Sequence, residues 1–225
     1  MPTLLCHSLR RAYAECRDDL TIMQLSDQET PEVEGVDMKI VAIDSMDEKI
    51  CLRRYQAYRL ALKSHGGPIV FVDTDMLFLR PLSSGLGEAS PALCRRSFGG
   101  HSIVRERVRT PFGKIEFHGH RGKTFDNLFP FLACYLSLPD VNYMDRILEK
   151  YERLSAEYKI WYGDQVVLKE FAEDFQCELV LESTHACLPE HFLDQNREDV
   201  YALHYKGPRK SMMAIDFWNL LSSKG

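Results

Sequence analysis

Asp73 and Asp75 stand one residue apart at the end of a short apolar run, Ile69-Val70-Phe71-Val72, which Gly66-Gly67-Pro68 opens. Two carboxylates that converge on one spot repel each other unless a cation lies between them. Their hard oxygen atoms suit magnesium or manganese, which are often held by one or two carboxylates together with substrate phosphates. The chemistry on offer is a metal-diphosphate site, with Asp73, Thr74 and Asp75 in the turn that lines it. The plainer reading is a strand end followed by a solvated turn, because so short a pattern also arises by chance.

A second group follows the short apolar strand Tyr201–His204, in the order His204-Tyr205-Lys206-Gly207-Pro208-Arg209-Lys210. A neutral imidazole can complete a metal's coordination shell, and a glycine lets backbone approach a phosphate closely. A lysine brings a mobile point charge to that phosphate. Taken singly, each has a bland alternative: a surface histidine, a Gly-Pro turn, a solvated lysine. The combination carries the argument.

The elements that must position these groups come from periodicity. Four bulky apolar residues between turn formers are too few for a helix and read as a strand buried on both faces of a mostly parallel sheet. In such sheets ligands sit outside the carboxyl ends of the strands. There the chain leaves the pleat, so Asp73 and Asp75 need not face opposite ways. Residues 4–16 read as a helix, Leu20–Leu25 and Met38–Ile43 as strands, and Asp47 to His65 as a helix capped by Asp47 and ended by Gly66. Pro91–Leu93, Asn127–Tyr135, Cys177–Leu181 and Tyr201–His204 read as further strands. Asp140–Ala156, Asp164–Phe175 and Ala214–Leu221 read as helices. The alternation implies an α/β layered fold, a central mostly parallel sheet flanked by helices with right-handed crossovers. Such folds open on a strand, so either Thr3–Cys6 is a short first strand or the usual opening strand is missing.

The 225 residues, 45% hydrophobic and 27% charged, fit one globular domain over residues 1–225. No apolar run approaches the ~20 residues that span a bilayer, and no signal peptide is evident, so the expected location is cytoplasmic. Seven scattered cysteines without a Cys-x-x-Cys pair read as reduced thiols. A net charge of −5 argues against general nucleic-acid binding. Residues 95–123 reverse that balance, with eight Lys/Arg against Glu106 and Glu116. This block, extended to residue 126 as a loop or lid, reads either as a solvated loop or as a rim attracting an anionic donor, an acceptor or a membrane surface.

Taken together, these residues resemble the GT-A glycosyltransferases, most closely the glycogenin-like and bacterial lipooligosaccharide galactosyltransferases of glycosyltransferase family eight. The resemblance rests on Asp73-x-Asp75 after an apolar strand, His204-x-x-Gly207-x-x-Lys210 near the C-terminus, and Trp161-Tyr162-Gly163-Asp164-Gln165 between them. Arg54-Tyr55-Gln56-Ala57-Tyr58-Arg59 before Gly66-Gly67-Pro68 is similar to the helix leading into that strand in related enzymes. The likeness covers roughly residues 50 to 215.

It implies a GT-A (Rossmann-like) fold and a nucleotide-diphosphate sugar, UDP-linked before GDP-linked, as donor. Asp73, Asp75 and His204 would hold Mn2+ or Mg2+, and Gly207 and Lys210 would serve the phosphates. Asp164 and Gln165 would contact donor or acceptor sugar, and transfer to a glycan, glycolipid or protein would retain anomeric configuration. Arg59 is either a further partner of the diphosphate or a surface ion pair, and Asp164 is a helix N-cap, a sugar ligand, or both. The segment Lys123–Asn127 departs from the family, having Asn127 but no Asn-x-Gly. Trp161 could stack on a pyranose ring. His118 and His120 read as loop residues, and Phe125, Phe129, Phe131 and Tyr135 as core or lid packing.

Two other readings compete. A haloacid-dehalogenase-type phosphohydrolase also carries Asp-x-Asp after a buried strand, with Asp73 as nucleophile, but it needs a later acidic pair and leaves His204 without a role. A catalytically silent sugar-nucleotide-binding module would have no need of four intact polar groups.

Overall fold

The computed structural model describes residues 1–16, 20–41, 50–195 and 197–222. Helix α1 (Pro2–Ala12) is followed by the parallel pair β1 (Met23–Ser26) and β2 (Met38–Val41), then α2 (Ile50–His65), β3 (Ile69–Val72) and β4 (Met76–Phe78). Thr3–Cys6 lies inside α1 and is not a strand. The expected Asp47 cap lies outside the described residues, as does the end of the Met38–Ile43 strand. Gly66 ends α2 as expected: its φ is +74°, and its N–H donates to the Leu62 carbonyl at 2.9 Å.

Next come β5 (Ala92–Arg95), the hairpin β6 (Arg107–Thr110) and β7 (Gly113–Glu116), the short α3 (Phe125–Leu128), and β8 (Phe131–Leu138). The basic block is therefore not a plain loop, since a hairpin forms its middle. Asn127–Tyr135 is not one strand either. Thr124 and Asn127 form a reciprocal capping box that starts α3, and only after Pro130 does the chain extend into β8. The remainder is α4 (Val141–Glu152), α5 (Ala156–Ile160), α6 (Gly163–Asp174), β9 (Glu178–Leu181), α7 (Glu182–His185), β10 (Ala202–His204) and α8 (Met213–Ser222). Asp140 caps α4, accepting from the Asn142 N–H at 2.7 Å.

β3, β8, β5 and β9 hydrogen-bond in that order. β8 runs antiparallel to β3 and β5, and β9 parallel to β5, so three strands share one direction and β8 opposes them. The expected mostly parallel sheet is in fact mixed in its ladders. The whole is an α/β fold, with apolar clusters on both sides of the sheet. On one side Ile69 and Phe71 of β3 pack with Tyr55 and Leu62 of α2, Met144 and Ile147 of α4, and Val167 and Phe171 of α6. On the other, Val70 and Val72 pack toward Leu5 and Leu9 of α1, with Met76 and Cys134. β3 thus has apolar neighbours on both faces, which fixes where its carboxyl end emerges. Each such fully buried side chain contributes about 1.5–3 kcal/mol through removal from water. Among the described residues no helix is long and apolar enough to cross a membrane.

Candidate functional site

β3 stops at Val72, and the Asp73 N–H donates to the Cys134 carbonyl of β8 at 3.0 Å. Thr74 and Asp75 turn the chain into β4, and Thr74 itself is exposed. β10 lies antiparallel to β4 with His204 opposite Met76, and the Tyr205 N–H donates to the Asp75 carbonyl at 2.8 Å. That ladder carries the late imidazole to the early carboxylates. One ligand atom each of Asp73, Asp75 and His204 lies within 4.8 Å of the others. Gly207, at φ +64°, then begins a 3-10 turn (Gly207–Met212) that brings Lys210 Nζ to 2.9 Å from Asp75 Oδ2.

Whether this set suits a divalent ion can be tested on its buried atoms. His204 Nε2 lies 3.3 Å from Asp75 Oδ1, yet the alignment makes no hydrogen bond. Both Asp75 Oδ1 and His204 Nδ1 are buried without a partner. An unsatisfied buried carboxylate oxygen is costly, and a cation on it removes that cost. Burial would raise the Asp75 carboxyl, but His204 and Lys210 beside it outweigh burial and hold it below the usual carboxylate range. Burial opposes charge on His204, whereas Cys134 and the Asp75 carboxylate favour it and lift the imidazole well above its ordinary value. In the absence of a cation the imidazole supplies the positive charge beside Asp75. Mg2+ or Mn2+ would displace its proton, and two carboxylates with one neutral imidazole fit either ion.

Arg54 of α2 extends the site. Its Nη2 lies 3.3 Å from Asp73 Oδ1 and its Nη1 3.4 Å from Asp164 Oδ2, so one guanidinium joins the metal-side carboxylate to the start of α6. Asp164 is largely buried, at 13% side-chain exposure. Burial pushes its carboxyl up, and Arg54 pulls it only part of the way back. Arg54→Gln is expected to cost about 1–3 kcal/mol, less than a fully buried pair because the arginine keeps some solvent contact. The sign with pH follows from the raised folded-state value. Without Arg54 the folded protein binds the Asp164 proton still more tightly than the unfolded chain, so stability falls as pH rises from about 4. Urea midpoints at pH 5 and pH 8 should therefore show a larger loss at pH 8, and an equal loss would contradict the pairing.

The other end of this constellation is set by backbone. Tyr162 is the N-cap of α6 and, among the described residues, the one non-glycine with positive φ, at 64°. Asp164 is therefore not the N-cap expected from its sequence position. It sits in the first turn, where its Oδ1 still accepts from the Gln165 N–H at 2.9 Å. Gln165 Oε1 accepts from Arg96 at 2.9 Å, and Arg96 lies over the Phe125 ring, 4.9 Å from its centre. Glu182, fully buried, accepts from the Ser97 and Phe98 N–H groups at 2.9 Å each and from Lys206 Nζ at 2.9 Å.

Asp73, Asp75, His204 and Lys210 thus meet in one place, with Gly207 opening the turn that carries Lys210, Asp164 joined through Arg54, and Gln165 next to Asp164 in α6. Arg59 is not brought there. Its Nε donates to Asp145 Oδ1 of α4 at 2.5 Å, which is the surface ion pair. Arg54 and Arg59 flank opposite edges of the stripe that buries Tyr55, Tyr58 and Leu62, and the strand end lies on the Arg54 side. That stripe is the signal in the sequence that could have separated them. Asn127 is occupied by its cap. Trp161 is half-buried, its ring edge-on to Tyr162 with centres 6.3 Å apart. His118 is exposed, but His120 is buried, stacked on Phe117 at 4.3 Å with Nδ1 3.0 Å from the Arg105 carbonyl. Phe129, Phe131 and Tyr135 are buried core residues.

Comparison with solved structures agrees with this architecture. The chain is similar to a glycosyltransferase involved in glycosylation of the major capsid of PBCV-1, at TM-score 0.52 and 10% identity, over 87% of this chain and 100% of that one. It is similar to the nucleoside-diphosphate-sugar pyrophosphorylase of Vibrio cholerae RC9, at TM-score 0.51 and 10% identity, over 96% of this chain and 86% of that one. No protein-family model and no curated sequence matches the chain. The likeness establishes the fold, a GT-A-like α/β fold.

Proposed function

We propose that this chain is a metal-dependent glycosyltransferase that moves a hexose from a nucleotide-diphosphate sugar, UDP-linked before GDP-linked, to a hydroxyl of a glycan, glycolipid or protein. Retention of anomeric configuration is part of the reading. The observation that carries it is the convergence of Asp73, Asp75 and His204 within 4.8 Å, with Lys210 Nζ on Asp75. The fold's likeness to a glycosyltransferase and to a nucleotide-sugar pyrophosphorylase supports the same substrate class.

Asp73, Asp75 and His204 would hold Mn2+ or Mg2+, which as a Lewis acid neutralises charge developing on a departing diphosphate. Lys210, 54% exposed, can turn from Asp75 toward that diphosphate and add its own charge. Gly207 has open space where a side chain would stand, leaving its backbone accessible to a phosphate oxygen. Arg54 fixes Asp73 and Asp164 relative to each other. Asp164 and Gln165 then face the donor sugar, the carboxylate favouring positive charge at the anomeric carbon.

The test combines binding with product identity. Manganese together with a UDP- or GDP-sugar should raise the melting temperature more than either alone, since a ligand of the native state stabilises by its binding free energy. Slow donor hydrolysis should release the free sugar and the nucleoside diphosphate. Release of sugar 1-phosphate would instead indicate nucleotidyl transfer, the chemistry of the pyrophosphorylase neighbour, and would overturn the proposal.

A further inference from the structure

The basic hairpin borders a second concavity, apart from the metal-side carboxylates. This cavity of about 350 Å³ is lined by Arg105, Arg107 and Arg109 together with Ile103, Phe125 and Tyr162. Its volume is in the range of small-ligand sites, and its walls combine guanidinium groups with aromatic faces. Arg107 and Arg109 are two apart on β6 and share a face of the hairpin. Arg107 is partly committed, 3.4 Å from Glu116. Among the described residues Arg105 and Arg109 make no side-chain ion pair.

The cavity adjoins the candidate active site through two shared walls. Tyr162 directly precedes Gly163-Asp164-Gln165, and Phe125 lies beneath Arg96, which donates to Gln165. An acceptor reaching a donor sugar at Asp164 and Gln165 would therefore rest against this pocket. Guanidinium groups bind oxyanions by paired charge-assisted hydrogen bonds, and Tyr162 and Phe125 offer flat surfaces to a sugar ring. Building on the transferase reading, we propose that the pocket is the acceptor subsite, and that the acceptor is an anionic glycan whose phosphate or carboxylate is held by Arg105 and Arg109. A concave site walled by aromatic rings favours an enclosed sugar oxyanion over a flat lipid surface.

The test measures binding of glucose 1-phosphate and glucuronate to the full chain by calorimetry, with glucose as the uncharged control. Each titration is run with and without manganese and UDP. At least one of the two anionic sugars should bind at least about tenfold more tightly than glucose, and its binding should persist when manganese and UDP are saturating, which separates the pocket from the phosphate side of the metal site. Losing charge-assisted hydrogen bonds should weaken that binding about tenfold or more in the R105Q/R109Q variant. Arg109→Gln alone, at an exposed position, serves if the double variant does not fold.

Equal binding of charged and uncharged sugars, or unchanged affinity in the variants, would overturn the proposal. So would competition between the anionic sugars and UDP with manganese. Binding to phosphatidylglycerol vesicles that the variants abolish, without binding of either soluble sugar, would reassign the arginines to a membrane. A wild-type chain that binds the anionic sugars but gains no stability from manganese and UDP would remove the transferase reading and leave the pocket as an independent anion site.

Discussion

Asp75→Ala is expected to abolish stabilisation by manganese with a nucleotide sugar, and to reduce donor turnover on the order of a hundred- to a thousandfold. Asp75 is 5% exposed, and its two oxygens face His204 and Lys210. Removing it takes away a metal ligand and the charge that draws both cations inward. Asp75→Asn separates the two contributions, since it keeps the shape and removes the charge. Both variants keep the backbone carbonyl that accepts from the Tyr205 N–H, so the β4–β10 ladder should survive. Near-wild-type far-UV circular dichroism beside a vanished manganese-dependent thermal shift is the expected pair of observations. A thermal shift equal to wild type in either variant would show that the cation is bound elsewhere.

The largest expected effect on the fold comes from a residue that touches no substrate. A methyl group on Gly163 would lie 2.4 Å from the Tyr158 carbonyl oxygen and 2.9 Å from a Tyr151 ring carbon. The first obstacle is backbone and cannot rotate away. Tyr162 before it is already held at positive φ, so the turn has little freedom to absorb a shift. Gly163→Ala should lower the unfolding free energy by about 2–4 kcal/mol, in the range of severe overpacking. Turnover should fall as well, because any displacement of this turn moves Asp164 and Gln165. Urea denaturation reads the first effect, and donor hydrolysis well below the melting point reads the second. A variant as stable as wild type would mean that the α5–α6 turn is looser than its contacts indicate.

The acidic end of β3 was legible because a four-residue apolar run between turn formers is too short to bury itself as a helix, and because carboxylates that close together carry a chemical meaning. His204 and Lys210 were legible through the combination of residue types around a glycine. The direction of β8 was not. Phe131–Leu138 is buried along almost its whole length, and such a run has the same pattern read in either sense. Asp164 reads as the N-cap of α6 because aspartate is a favoured capping residue, whereas nothing local marks Tyr162, which holds positive φ with its ring stacked on Phe129, far away in the chain, at 4.5 Å between centres. The Tyr55, Tyr58 and Leu62 stripe puts Arg54 and Arg59 on opposite edges of α2, but which edge meets the strand end depends on the position of α4, where Asp145 captures Arg59. Arg96 and Glu182 depend on contacts between segments far apart in the chain, for which local sequence carries no pattern.

The interior carboxylate of Glu182 joins two stretches far apart in the chain. It grips the amides that open the arginine-rich segment and, at the same time, the ammonium group next to Gly207. Parting them would strip three donors from a buried carboxylate, so the two stretches are held to one another. An occupant that displaced one of them would have to work against its tie to the other.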